Sequence, residues 1–147
     1  MERIFRATLA QTAPELLNVA HNAQRAAEAL ARAAERGASL VVFPEMHLSG
    51  YGLEKERLLP SHRAALGRDL ARALEGLASE GTRRGVDFLM SYPIFEDDKI
   101  FIAAAYVERG EIKAIHRKLN LVNYGHYTED RNFDSGNSFT VVSTRLG

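Results

Sequence analysis

The sequence predicts an α/β fold: one layer of mixed β-sheet with two helices on one of its faces. Three observations carry this. A helix-period stretch lies between two short apolar segments, a second helix-period stretch follows, and three consecutive strand-like runs come after that. No repeat, low-complexity tract or linker divides the 147 residues, so residues 1–147 are expected to form one domain-sized unit.

The elements are read in chain order. "RATLAQTA" at residues 6–13 alternates weakly and predicts a first strand. Pro14 follows, at a position where the first turn of a helix tolerates proline. Over residues 15–36 the apolar positions Leu16, Val19, Ala20, Ala23, Ala27, Leu30 and Ala34 recur at helical spacing, and Gly37 supplies a stop. "SLVVF" at residues 39–43 is a continuous apolar run, as expected of a strand covered on both faces. The β-α-β order implies a parallel pair joined by a right-handed crossover.

Ser61 is a candidate cap for the second helix, whose stripe is Leu66, Leu70, Ala73, Leu74 and Leu77 and which fades near "EGTRRG". "VDFLMSYPIF", "IFIAAAYVERG" and "EIKAIHRKL" read as three strands. Asp97, Asp98 and Lys99, then Arg109 and Gly110, provide the hairpin turns between them. Residues 120–137 have no clear period and predict a long functional loop. "SFTVVSTRLG" predicts a final strand. Two helices on one side leave the other face of such a sheet apolar and uncovered.

Bulk properties remove several function classes. Nineteen basic and 19 acidic side chains balance, with no basic stripe, so a nucleic-acid partner is not expected. The longest apolar runs fall far short of the roughly 20 residues that span a bilayer, so no membrane partner is expected either. The first residues have no apolar h-region or small-residue cleavage site, which predicts a cytoplasmic location. There is no cysteine, which removes disulfides, thiolate metal sites and thiol catalysis by these residues. The five histidines have no metal-ligand spacing and no P-loop or GxGxxG occurs, so neither metal nor cofactor is expected.

The candidate functional residues start with Glu45. In "VVFPEMHLSGYG" an apolar run ends in Pro44 and then a carboxylate, and ligand sites in parallel α/β sheets gather beyond the carboxyl ends of strands. The following "LSGYG" has two glycines that permit close backbone approach. Lys118, in "AIHRKLNL", shares a face with Ile112, Ala114 and His116 by strand alternation, and such a lysine either keeps its charge in water at the strand end or is held close to a carboxylate. The loop "NYGHYTEDRNF" adds Tyr124, Tyr127, Glu129 and Arg131, in which Glu129 and Arg131 could form only a local ion pair.

Together these residues resemble the nitrilase, or carbon–nitrogen hydrolase, superfamily. Its "(F/L)PE" strand end and Gly-Tyr loop match "FPEMHLSGYG", and its lysine motif matches "HRKLNL". "KLNLVNYGHYTEDRNF" is similar to the glutaminase branch of the family, which includes the amidotransferase domains of glutamine-dependent NAD synthetases. The resemblance implies an α-β-β-α sandwich, of which this chain would form the amino-terminal portion. It implies that Glu45 is the general base, Lys118 the oxyanion-stabilising cation and Glu129 a supporting carboxylate. Phe43, Tyr51 and Tyr124 would wall the pocket. The substrate implied is a small-molecule amide or nitrile.

The family nucleophile is a cysteine on a strand that would come later, so these residues alone are expected to be inactive. The implied partner is either a second copy of the chain or a complementing carboxyl-terminal half. The alternative is a non-catalytic binding or assembly module with the same fold.

Overall fold

The computed structural model describes residues 4–147. Five strands form one sheet in sequential order: β1 (Ala7–Leu9), β2 (Leu40–Val42), β3 (Asp87–Glu96), β4 (Lys99–Glu108) and β5 (Glu111–Arg117). β1, β2 and β3 are parallel, while β3, β4 and β5 are antiparallel, so the sheet is mixed as expected. The helices α1 (Val19–Glu35) and α2 (Pro60–Arg84) make the two crossovers. The tight turns fall at Asp97–Asp98 and Arg109–Gly110, with Asp97, Arg109 and Gly110 all at positive φ.

Both helices cover one face. Ala26, Leu30 and Ala33 of α1 and Leu66, Leu70, Leu74 and Leu77 of α2 bury against Val41, Phe88, Met90 and Val107. The α1 stripe is therefore rotated from the predicted one, and Ala20 is exposed. α2 runs straight through Gly81, which sits against the sheet. A Cβ there would stand 2.9 Å from Val86 O and 3.1 Å from the Phe88 ring.

The helix starts differ from expectation. α1 begins four residues after Glu15, because Leu17 takes a left-handed conformation (φ 58°) and Asn18 Oδ1 caps the helix by accepting from His21 N. The Asn22 side chain bonds both N and O of Glu15, fixing that segment outside the helix. Ser61 does not cap α2. Leu59 is the N-cap and Pro60 opens the helix, which places Ser61 inside its first turn.

β5 and the final segment also differ from expectation. A bulge pairs Ala114 with Tyr106 but Ile112 with Val107, so Ile112 turns to the helix-covered face and does not share Lys118's side. Residues 138–147 form no strand. They are held mainly by side chains: Thr140 Oγ1 meets His116 Nδ1, and Arg145 Nε donates to Asp87 Oδ2 at 2.6 Å while its backbone N donates to Glu108 Oε2. A segment crossing a sheet face finds no unpaired backbone groups with which to form a ladder.

Candidate active site

The site forms where β2 and β5 end, on the face away from the helices. β2 delivers Phe43, whose N–H donates to Leu89 O, and then Pro44 and Glu45. The chain turns sharply at Met46, a fully buried residue with φ 56°. Gly50, at φ 75°, lets the loop pass against residues 15–16; a Cβ there would lie 2.9 Å from Leu16 Cα. This close approach places Tyr51. From the other side, Lys118 extends β5 by one residue, donating its N–H to Ile102 O.

Three charged groups converge. Lys118 Nζ lies 3.1 and 3.3 Å from the two Glu45 carboxylate oxygens and 2.9 Å from Glu129 Oε1. Glu129 is not paired with Arg131. It opens a single 3₁₀ turn, Glu129–Arg131, that points its side chain inward, where it is 5% exposed. Its second oxygen accepts from Val122 N at 2.8 Å, and Tyr51 Oη donates to the first. The Glu129 N–H returns a bond to Val122 O, which closes the loop on itself.

The electrostatics follow from these bonds. Burial alone would raise the Glu129 carboxyl, but the donors from Tyr51, Val122 and Lys118 outweigh it and hold it below the ordinary range. Burial likewise works against the Lys118 charge, yet the two carboxylates keep its ammonium more firmly protonated than a free lysine. The Tyr51 phenol is pushed up by burial and by its bond to Glu129, so it stays a neutral donor.

The two carboxylates are thus unlike each other. Glu129 is buried and bonded by three donors, whereas the Glu45 side chain is 43% exposed and touches Lys118. Glu45 and Lys118 line a cavity of about 480 Å³ with Phe43, Leu89, Ser91 and His116. That is room for a small ligand. Phe43 is 6% exposed and forms part of this wall. Tyr124 is 73% exposed and packs edge-on to Tyr127, outside this cavity. Among the described residues, no group of three or more His, Asp or Glu side chains could hold a metal ion.

Two supporting residues flank the turn: His47, which the sequence offers only as a possible pocket-lining side chain, and Ser91, which it does not offer at all. His47 is 1% exposed, stacks 5.0 Å from Phe43, and sets Nδ1 3.1 Å from Thr12 Oγ1. Ser91 on β3 bonds the Met46 turn. His47 lies within "FPEMHLSGYG" without metal-ligand spacing to mark it, and a lone serine within a strand gives no signal.

A glutamate and a lysine joined at the carboxyl ends of the strands of a mixed sheet, backed by a buried second glutamate, fit a class of hydrolases that act on carbon–nitrogen bonds. The sequence profile of the carbon-nitrogen hydrolase family matches residues 6–147, and the chain belongs to that family. The glutamine-dependent NAD(+) synthetase of Thermotoga maritima is 39% identical over 142 residues, which is 97% of this chain and 24% of that protein. The corresponding enzyme of Acinetobacter baylyi is 29% identical over 140 residues, again 24% of its length. The chain therefore spans about a quarter of the length of these curated relatives.

Solved structures agree. A glutamine-dependent NAD+ synthetase from Acinetobacter baumannii superposes with a TM-score of 0.82 at 27% identity, over 96% of this chain and 26% of that one. An amidase from Nesterenkonia sp. superposes with a TM-score of 0.79 at 26% identity, over all of this chain and 54% of that one. The fold is the α–β portion of a nitrilase-type protein. Among the described residues, no helix is long and apolar enough to cross a membrane.

Proposed function

We propose that these residues supply the general base and the oxyanion-stabilising cation of an amide hydrolase whose thiol nucleophile lies outside them. Glutamine or a similar small carboxamide is the substrate. The observation that carries this reading is the Glu45–Lys118–Glu129 cluster, bonded through one ammonium and opening on a cavity. Relatives named as glutamine-dependent synthetases and amidases favour a carboxamide over a nitrile.

The bonding assigns the roles. Glu129 is saturated by its donors and cannot accept a further proton without losing one, so it orients Lys118. Glu45 is the carboxylate with free access to the cavity. It takes the proton of an approaching thiol, whose ordinary pKa near 8.5 leaves it mostly protonated at neutral pH. The sulfur attacks the amide carbon, and Lys118 faces the oxygen that becomes negative. Of its three N–H donors, two serve the carboxylates and one remains for the oxyanion. The C–N bond then breaks, the nitrogen leaves as ammonia with the proton held by Glu45, and a thioester remains. Glu45 next takes a proton from water as it attacks the thioester, which releases the acid and restores the thiol. Phe43 limits water on one wall.

Because no cysteine is present, this reading has the 147 residues inert by themselves. The test is ammonia release from glutamine by the chain alone, then by the chain joined to the cysteine-bearing remainder of a family domain. Release is expected in the second case only and is lost in Glu45→Ala. Turnover by the chain alone that depends on Glu45 contradicts the assignment. The second reading, an assembly module, is favoured by the exposed Phe139 and Val141 side chains, which a partner would cover, and by the absent thiol. It predicts stable association but no ammonia in the joined form.

A further inference from the structure

We infer that Ser91 is a positioning residue for Glu45, acting through the backbone turn at Met46. The inference rests on the reading of Glu45 as the base, and asks what keeps that base in place.

Glu45 sits directly before a non-glycine residue in the left-handed region. Met46 has φ 56°, which for a side chain with a Cβ is a strained conformation that must be held by its surroundings. Its side chain is fully buried, and its N–H points away from solvent into the protein. That N–H donates to Ser91 Oγ at 3.0 Å. The Ser91 hydroxyl in turn donates to Ala103 O on β4 at 2.8 Å, so its proton is committed and its lone pair is aimed at Met46. The backbone oxygen of the same serine accepts from Leu48 N, two residues further on. Gly50 N closes the loop onto Met46 O at 2.8 Å.

Ser91 thus grips the turn at both ends, and the relay ties β2's exit through β3 to β4. It is 8% exposed and lines the cavity that Glu45 faces. Without the hydroxyl, the Met46 N–H is a buried donor with no acceptor in the left-handed turn. The turn then relaxes, and the carboxylate one residue earlier moves off Lys118.

The experiment reads the Lys118 ammonium by NMR titration in the full chain, because Glu45 is one of the two carboxylates that hold its midpoint up. Glu45→Gln sets the reference by removing that charge. Ser91→Ala is expected to lower the midpoint by at least half the Glu45→Gln shift, and Ser91→Thr, which keeps a hydroxyl, is expected to restore it. A general loss of stability would not sort variants by the hydroxyl. Should Ser91→Ala fail to fold, Ser91→Thr against Ser91→Val gives the same comparison, since the two differ by that hydroxyl alone. A midpoint unchanged in Ser91→Ala or Ser91→Val, while Glu45→Gln shifts it, overturns the role of Ser91 and leaves the Glu45 reading standing. If Glu45→Gln itself moves nothing, the Glu45–Lys118 pairing fails and both fall together.

Discussion

Lys118 Nζ lies 3.1 Å from Glu45 Oε2 although the residues are 73 positions apart in the chain. The sheet brings them together: β2 and β5 are separated by β3 and β4, and Glu45 at the exit of β2 meets Lys118 at the end of β5 across the face of those two strands. Glu129 completes the arrangement with a second carboxylate on the same ammonium.

Glu129 should matter for stability as well as position. In Glu129→Ala, Val122 N and Tyr51 Oη lose their acceptor and Lys118 loses a buried counter-charge. The expected cost is about 2–4 kcal/mol in denaturant unfolding at neutral pH. The Glu129 carboxyl titrates below its ordinary 4.5, so its contribution is present above that value and is lost as pH falls through the lower folded midpoint. The gap between wild type and Glu129→Gln should close on the acid side of pH 4.5. A gap independent of pH contradicts the ionised state assigned to Glu129.

His47 predicts a second acid effect. Burial holds its imidazole below 6.5, and Nε2 has no bonding partner among the described residues. The folded protein keeps it neutral while the unfolded chain takes up a proton. Its contribution is therefore present above 6.5 and is lost as pH drops towards the folded midpoint. Replacing it in His47→Gln should flatten the decline of Tm between about pH 7 and pH 5. An unchanged slope contradicts a neutral buried His47.

Much of this was legible in the sequence, for reasons that differ by residue. Glu45 is placed because it ends an apolar run, and Lys118 because it closes an alternating strand-like run. Glu129 was found by its loop motif, and its inward turn could not be seen, since Arg131 offered an equally plausible local partner. The start of α1 was missed because Leu17 adopts a left-handed conformation that no apolar pattern encodes. Strict alternation puts Ile112 on the face of Lys118, and the bulge in β5 moves it to the other. Composition alone predicts a strand for the final segment, but its anchors are the side chains of Thr140 and Arg145.

Arg145 gives a test of that anchoring. Its guanidinium pairs with Asp87, which is 2% exposed and otherwise bonded by Tyr106 Oη and Arg109 N. Arg145→Ala should cost about 2–3 kcal/mol, because it leaves a buried carboxylate short of its charged partner. Limited proteolysis should then cut within residues 138–147 sooner than in the wild type. Equal cleavage rates contradict an anchoring role.

The packing of α2 is tested at Gly81. Alanine normally favours a helix over glycine by about 1 kcal/mol. Here the added methyl would meet Val86 O and the Phe88 ring, so Gly81→Ala should be destabilising by about 1–3 kcal/mol. A stabilised variant would show that α2 rides higher on the sheet than described.

The most direct test of the central claim is ammonia release from glutamine by the chain joined to a cysteine-bearing remainder, comparing wild type with Glu45→Gln. A positioned proton acceptor predicts a fall in kcat of about 10²–10⁴-fold, with the joined protein still folded. Equal kcat in the two proteins would contradict the assignment of Glu45 as the base.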